Sequence, residues 1–193
     1  MPDVSFFRSL SPLDRDVLNL YVNFIARAII PVEQDADVFY RAHASAIEDA
    51  AAMLRGRFGV PAAPLWRGIL LDPGAIGADM SLAPIGHITY LSFSEERTIA
   101  EEFANPQAWI SALVRLQKPH VRGYLIKYEP SSQEVLFSHH WAEPMGINHM
   151  RIPMWNADSV TRQREVIIRQ QGHRFLLTDA AMAVDTPTGT HHV

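Results

Sequence analysis

A chain of 193 residues with no cysteine, a formal net charge of −4 and 48% hydrophobic against 20% charged residues has the makeup of one globular domain with an ordinary core. The missing cysteines exclude disulfides, thiolate catalysis and cysteine-built zinc sites, and the acidic balance argues against bulk electrostatic attraction to nucleic acid. "MPDVSFFRSLSPLDRD" lacks the apolar run of a secretory signal and "LNLYVNFIARAIIPV" is broken by Asn23 and Arg27, so a cytoplasmic protein that does not span a membrane is expected.

Ser11 as N-cap, Pro12 at the first helical position and Asp14 in the first turn predict a helix, along which Val17, Leu20, Tyr21, Phe24, Ile25 and Ala28 recur at helical spacing until Pro31. An alanine-rich second helix is predicted over 37–57, stopping at Gly59, and "VPAAP" reads as a short linker. Beyond it the texture changes to short apolar runs bounded by Pro, Gly, Asn and Asp. "PLWRGILLD", "HITYLSFS", "VRGYLIKYEP", "EVLFSHHW", "REVIIRQ" and "HRFLLTDAAMAVD" all read as strands. A helix over 95–103, capped by Ser94, interrupts them, and 107–118 is a further helical candidate. Helices first and strands afterwards predict an α+β fold in a single domain: a helical segment over 1–60, a strand-rich core over 61–185 and a tail over 186–193.

Several polar residues sit where apolar ones would be cheaper. Arg67 lies inside "PLWRGILL", where a cation needs an anionic partner, either a bound diphosphate or carboxylate or an internal salt bridge. Ser92 and Ser94 share one face of a strand, with Phe93 on the other, and serve either a ligand or the following helix. Glu165 opens the strand "EVIIR" with Gln163 two residues before it on the same face, which suits ligand hydroxyls or, more plainly, pairing with Arg162, Arg164 or Arg169. His139, His140, Glu143 and His149 cluster in sequence, but adjacent histidines on a strand point to opposite faces, so no metal site is expected.

Taken in this order, Leu65-Trp66-Arg67-Gly68, then Tyr90-Leu91-Ser92-Phe93-Ser94 leading into a helix, then Gln163-Arg164-Glu165 at a late strand, the chain resembles the mono-ADP-ribosyltransferases of the Arg-Ser-Glu class over roughly 65–179. The resemblance implies an ADP-ribosyltransferase-like, mostly antiparallel core of two sheets. NAD would be the co-substrate, with no metal and no membrane, and ADP-ribose would pass to a macromolecular acceptor, a protein more than a nucleic acid. Glu165 would be catalytic beside Gln163, and Arg67, Gly68, Ser92, Phe93 and Ser94 would bind NAD. Phe93 stands where the family usually has threonine. Trp155 and Asn156 fall in the turn, within 138–159, where such enzymes recognise the acceptor. Glutamine rather than glutamate at Gln163 disfavours arginine as acceptor, because a neutral amide is no general base. Enzymes of this kind include toxins and effectors delivered into other cells. Two other readings share the same residues: an NAD glycohydrolase, and a silent protein-binding module on the same fold.

Overall fold

The structure, a computed structural model, describes residues 4–29, 33–61, 64–76, 79–82, 89–109, 121–145, 162–170 and 175–178. Helix α2 (Pro12–Ile29) starts where its sequence signals put it. Ser11 Oγ accepts from Asp14 N at 3.1 Å and the Asp14 carboxylate accepts from Ser11 N at 3.3 Å, a reciprocal cap that satisfies two otherwise orphaned amides. A short helix α1 (Val4–Ser9), not foreseen, precedes it and sets Phe6 edge-on against Phe58, ring centroids 5.3 Å apart. Helix α3 (Glu33–Phe58) begins earlier than expected and kinks at His43 (φ −127°, ψ 21°). Leu18, Tyr21, Phe24 and Ile25 of α2 meet Tyr40, Ile47, Ala50 and Leu54 of α3 in one core, the small alanines letting the two helices approach. Gly59 ends α3 at φ +76°, its amide donating to Arg55 O at 2.9 Å. Among the described residues no helix is long and apolar enough to cross a membrane.

Among the described residues seven strands follow: β1 (Leu65–Leu71), β2 (Ser81–Leu82), β3 (Tyr90–Ser94), β4 (Arg122–Tyr128), β5 (Val135–Ser138), β6 (Glu165–Arg169) and β7 (Phe175–Thr178). Between them lie helices α4 (Arg97–Ala104) and α5 (His139–Ala142). The α+β class is therefore present, with the sheet in the order β2-β7-β4-β1-β3-β6-β5 and every ladder antiparallel. Three expected elements differ. The strand read through "EVLFSHHW" stops at Ser138, whose Oγ caps a helical turn by accepting from His140 N at 3.3 Å. The helix expected from Glu95 starts at Arg97. Of 107–118, Pro106–Trp109 forms a single tight helical turn, and 110–120 lie outside the described residues.

The ladders are not equally strong. β1 and β4 pair along their whole length, from Leu65↔Tyr128 to Leu71↔Arg122, whereas β1 and β3 meet at the single pair Trp66↔Ser94. β7 and β3 are three places apart in the strand order, roughly 14 Å in a flat sheet, yet the Phe93 and Phe175 rings lie 6.0 Å apart. Phe93, Tyr128 and Phe175 thus pack together across the thinly paired β1–β3 joint. The N-terminal helices cover the β3-β6-β5 half. Tyr21 donates to the Leu136 carbonyl, Arg55 Nη1 donates to Val135 O at 2.7 Å, and Phe24 sets its ring edge-to-face on Tyr90. α4 covers β1 and β4 so closely that a Cβ on Gly68 would lie 1.8 Å from the Ala100 carbonyl oxygen, and one on Gly123 1.8 Å from that of Ala104.

Candidate functional site

The β3–β6 ladder runs from Tyr90↔Arg169 to Ser94↔Glu165 in unbroken register. Residues directly opposite share a face, so Ser92, Ser94 and Glu165 project together while Leu91 and Phe93 turn away. Ser92 Oγ donates to Glu165 Oε1 at 2.5 Å. The other carboxylate oxygen, Oε2, is buried with no hydrogen-bond partner among the described residues. Burial is the dominant influence on this group and raises the Glu165 pKa from 4.5 to about 7, against the opposing pull of the Ser92 hydroxyl and the Arg67 charge. A carboxyl that is 6% exposed and balanced between its two protonation states near neutrality is costly as a structural part and useful as a chemical one.

Arg67 reaches the same place from the other side of the joint. Its neighbours Trp66 and Gly68 face α4, so alternation turns Arg67 to the opposite face, and Nη1 donates to the Ser92 carbonyl at 2.7 Å. That carbonyl lies two residues before Ser94, the β3 member of the single β1–β3 pair, so the guanidinium adds a side-chain bond where the described ladder has ended. Arg67, Ser92 and Glu165, which are far apart in sequence, thus belong to one hydrogen-bonded group.

The remaining expectations fare unevenly. Ser94 is buried and serves two bonds: its hydroxyl donates to Gln163 O at 2.7 Å and accepts from Glu96 N at 3.0 Å. It therefore ties the approach to β6 onto the end of β3 and holds the turn before α4, instead of capping a helix that starts at Glu95. Gln163 does not extend the Glu165 strand. It is helical, and Arg164 follows at φ 45°, a left-handed conformation that is uncommon for a residue with a side chain and breaks the two-residue alternation assumed from sequence. Arg164 O accepts from Glu95 N at 3.2 Å, and its guanidinium pairs with Glu96 at 2.9 Å, so both ends of the turn are fixed. Phe93, one of the residues expected at the NAD site, has its ring in the core, 2% exposed. Gly68 has a packing role, the close approach of α4. Trp155, Asn156 and His149 lie outside the described residues.

The histidines correct another expectation. His139 and His140 are in a helical turn, where neighbouring side chains need not oppose each other, and both rings reach Glu95. His139 Nε2 is 2.8 Å from Glu95 Oε2 and His140 Nε2 is 3.0 Å from Oε1, with the ring centroids 3.8 Å apart. Burial lowers the His139 pKa, opposed by its hydrogen bond to Glu95. In the sequence Glu95 is marked only as the start of the helix predicted over 95–103. The available signal for this cluster was Ser138, a helix-capping residue type placed just before the two histidines.

Compared with protein-family models, curated proteins and solved structures, the chain matches none of them.

Proposed function

We propose that the protein is an NAD-dependent mono-ADP-ribosyltransferase of the Arg-Ser-Glu class, built on an ADP-ribosyltransferase-like core whose two sheet layers meet at the β1–β3 joint. The observation that carries this reading is the convergence of Arg67, Ser92 and Glu165 from three strands on one point, with bonds of 2.7 and 2.5 Å through Ser92. Cleaving the nicotinamide–ribose bond of NAD sends the bonding electron pair to nicotinamide and leaves positive charge on the ribose, as in glycoside cleavage. The Glu165 carboxylate stabilises that charge, and its unpartnered Oε2 is suited to accept from a ribose hydroxyl. Ser92 orients the carboxyl and Arg67 provides the cation for the diphosphate. An acceptor lone pair then bonds to the ribose carbon from the open face, and the acceptor's proton passes to solvent water; a protein side chain is favoured over nucleic acid on the net charge of −4.

The test is incubation of the protein with adenine-labelled NAD and a cell lysate, followed by protease or nuclease. Nicotinamide release with protease-sensitive label is the expected result. Release without any transferred label would make the protein a glycohydrolase. No release at all, or release that is unchanged in Glu165→Gln, would refute the assignment. Loss of at least about a hundredfold is expected for that variant, because removing preorganised charge stabilisation commonly costs this much.

A further inference from the structure

Glu95, His139 and His140 form a second group of chemically capable side chains, separate from Arg67, Ser92 and Glu165. The topology explains why they meet. β3 and β5 both pair antiparallel with β6, one on each side, so they run parallel to each other and end at the same end of the sheet. Glu95 is the first residue past β3, and His139 and His140 are the first two past β5. Both imidazoles present Nε2 to the one carboxylate, and the three ligand atoms lie within 4.8 Å of one another.

We propose that Glu95, His139 and His140 bind a single divalent transition-metal ion of the zinc type. Two imidazole nitrogens and a carboxylate oxygen are the donor set that such borderline ions take, with the remaining positions left to water or another ligand. Metal–ligand bonds of about 2.0–2.1 Å put neighbouring ligand atoms roughly 3.0 Å apart in octahedral and 3.4 Å apart in tetrahedral coordination. The observed His139–Glu95 and His140–Glu95 separations of 2.8 and 3.0 Å need to open by only a few tenths of an ångström. On binding, each imidazole carries its proton on Nδ1 and gives the Nε2 lone pair to the ion. Side-chain exposures of 8% for His139, 14% for Glu95 and 53% for His140 describe a seat closed on the protein side and open to solvent at His140. Among the described residues Arg164 is a nearby cation, and its pairing with Glu96 at 2.9 Å offsets its charge. The ion would clamp the turn after β3 to the turn after β5, and the Glu95 amide would pass that constraint to Arg164, the residue before Glu165.

The inference does not depend on the NAD reading, and its test does not use turnover. The full-length chain, stripped with chelator, is titrated with Co²⁺ and with Zn²⁺, following heat and the visible absorption of cobalt. The expected result is one equivalent bound with imidazole–carboxylate cobalt bands and a rise in melting temperature with zinc. Both should be lost in His140→Ala, a change at a half-exposed ring that leaves the fold standing, and in Glu95→Gln. A His191→Ala/His192→Ala variant should retain both. Absence of binding in the wild type, equal binding in His140→Ala, or loss of binding in the tail variant would overturn the proposal.

Discussion

Replacing Glu165 by glutamine should remove activity and at the same time stabilise the protein increasingly as pH rises. The carboxyl is buried, and burial outweighs the Ser92 hydroxyl and Arg67, so its pKa rises from 4.5 to about 7 on folding. The sign follows from the direction of the shift. A group whose folded pKa is raised contributes its full stability below the unfolded value, where it is protonated in both states, and loses that contribution as pH rises through the folded value. At ~1.4 kcal/mol per pH unit, the interval from 4.5 to about 7 is worth roughly 3 kcal/mol, most of it expressed between pH 5 and 8. Glutamine keeps the size and the acceptor for Ser92 but cannot ionise. Its amide nitrogen at the unpartnered Oε2 position adds a cost that does not vary with pH. Urea unfolding of both proteins at pH 5 and pH 8 isolates the effect, since all other titrating groups are common to the pair. The stability of Glu165→Gln relative to wild type should improve by about 2–3 kcal/mol between the two pH values, roughly 4–12 °C in melting temperature. Parallel pH profiles would refute the claim that Glu165 is a desolvated carboxyl held against its preference.

Gly68→Ala should destabilise by several kcal/mol in denaturant, because its Cβ would lie 1.8 Å from the Ala100 carbonyl oxygen, whereas Gly56→Ala, with nothing within 4 Å, should stabilise α3 by about 0.5–1 kcal/mol. Phe93→Ala should cost roughly 3–5 kcal/mol by opening a cavity between Tyr128 and Phe175. Ser92→Ala leaves Glu165 Oε1 unpaired beside the unpartnered Oε2 and should cost about 1–3 kcal/mol in unfolding while nicotinamide release falls; unchanged release would take Ser92 off the ligand face. Ser94→Ala removes the bonds to Gln163 O and Glu96 N and should cost about 1–2 kcal/mol, read from the same unfolding curves.

Capping and alternation were legible in the sequence because they act over a few residues. Ser11-Pro12 starts α2 as expected, and the apolar runs of β1, β4 and β6 form strands. The two-residue period of β3 separates Ser92 and Ser94 from Phe93 without any knowledge of partners. The family resemblance put Ser92 and Glu165 in one site; in the structure the antiparallel register of β3 on β6 brings them into contact. Tertiary structure decided whatever depended on a competing partner. Ser94 could have capped a helix at Glu95, but its hydroxyl is taken by Gln163 O and Glu96 N, so α4 waits until Arg97. Gln163 leaves the Glu165 face because the bonds fixing Arg164 O and its side chain, to Glu95 N and Glu96, accompany a left-handed backbone that no strand period anticipates. The need for glycine at position 68 is set by α4 lying across β1, a contact that no local pattern shows. His139 and His140 converge on Glu95 because β6 runs between β3 and β5, an adjacency set by strand order across 44 and 45 residues of chain. Local periodicity encodes which way a side chain points, but what it meets there depends on pairings between distant segments, and those are settled only when the sheet assembles.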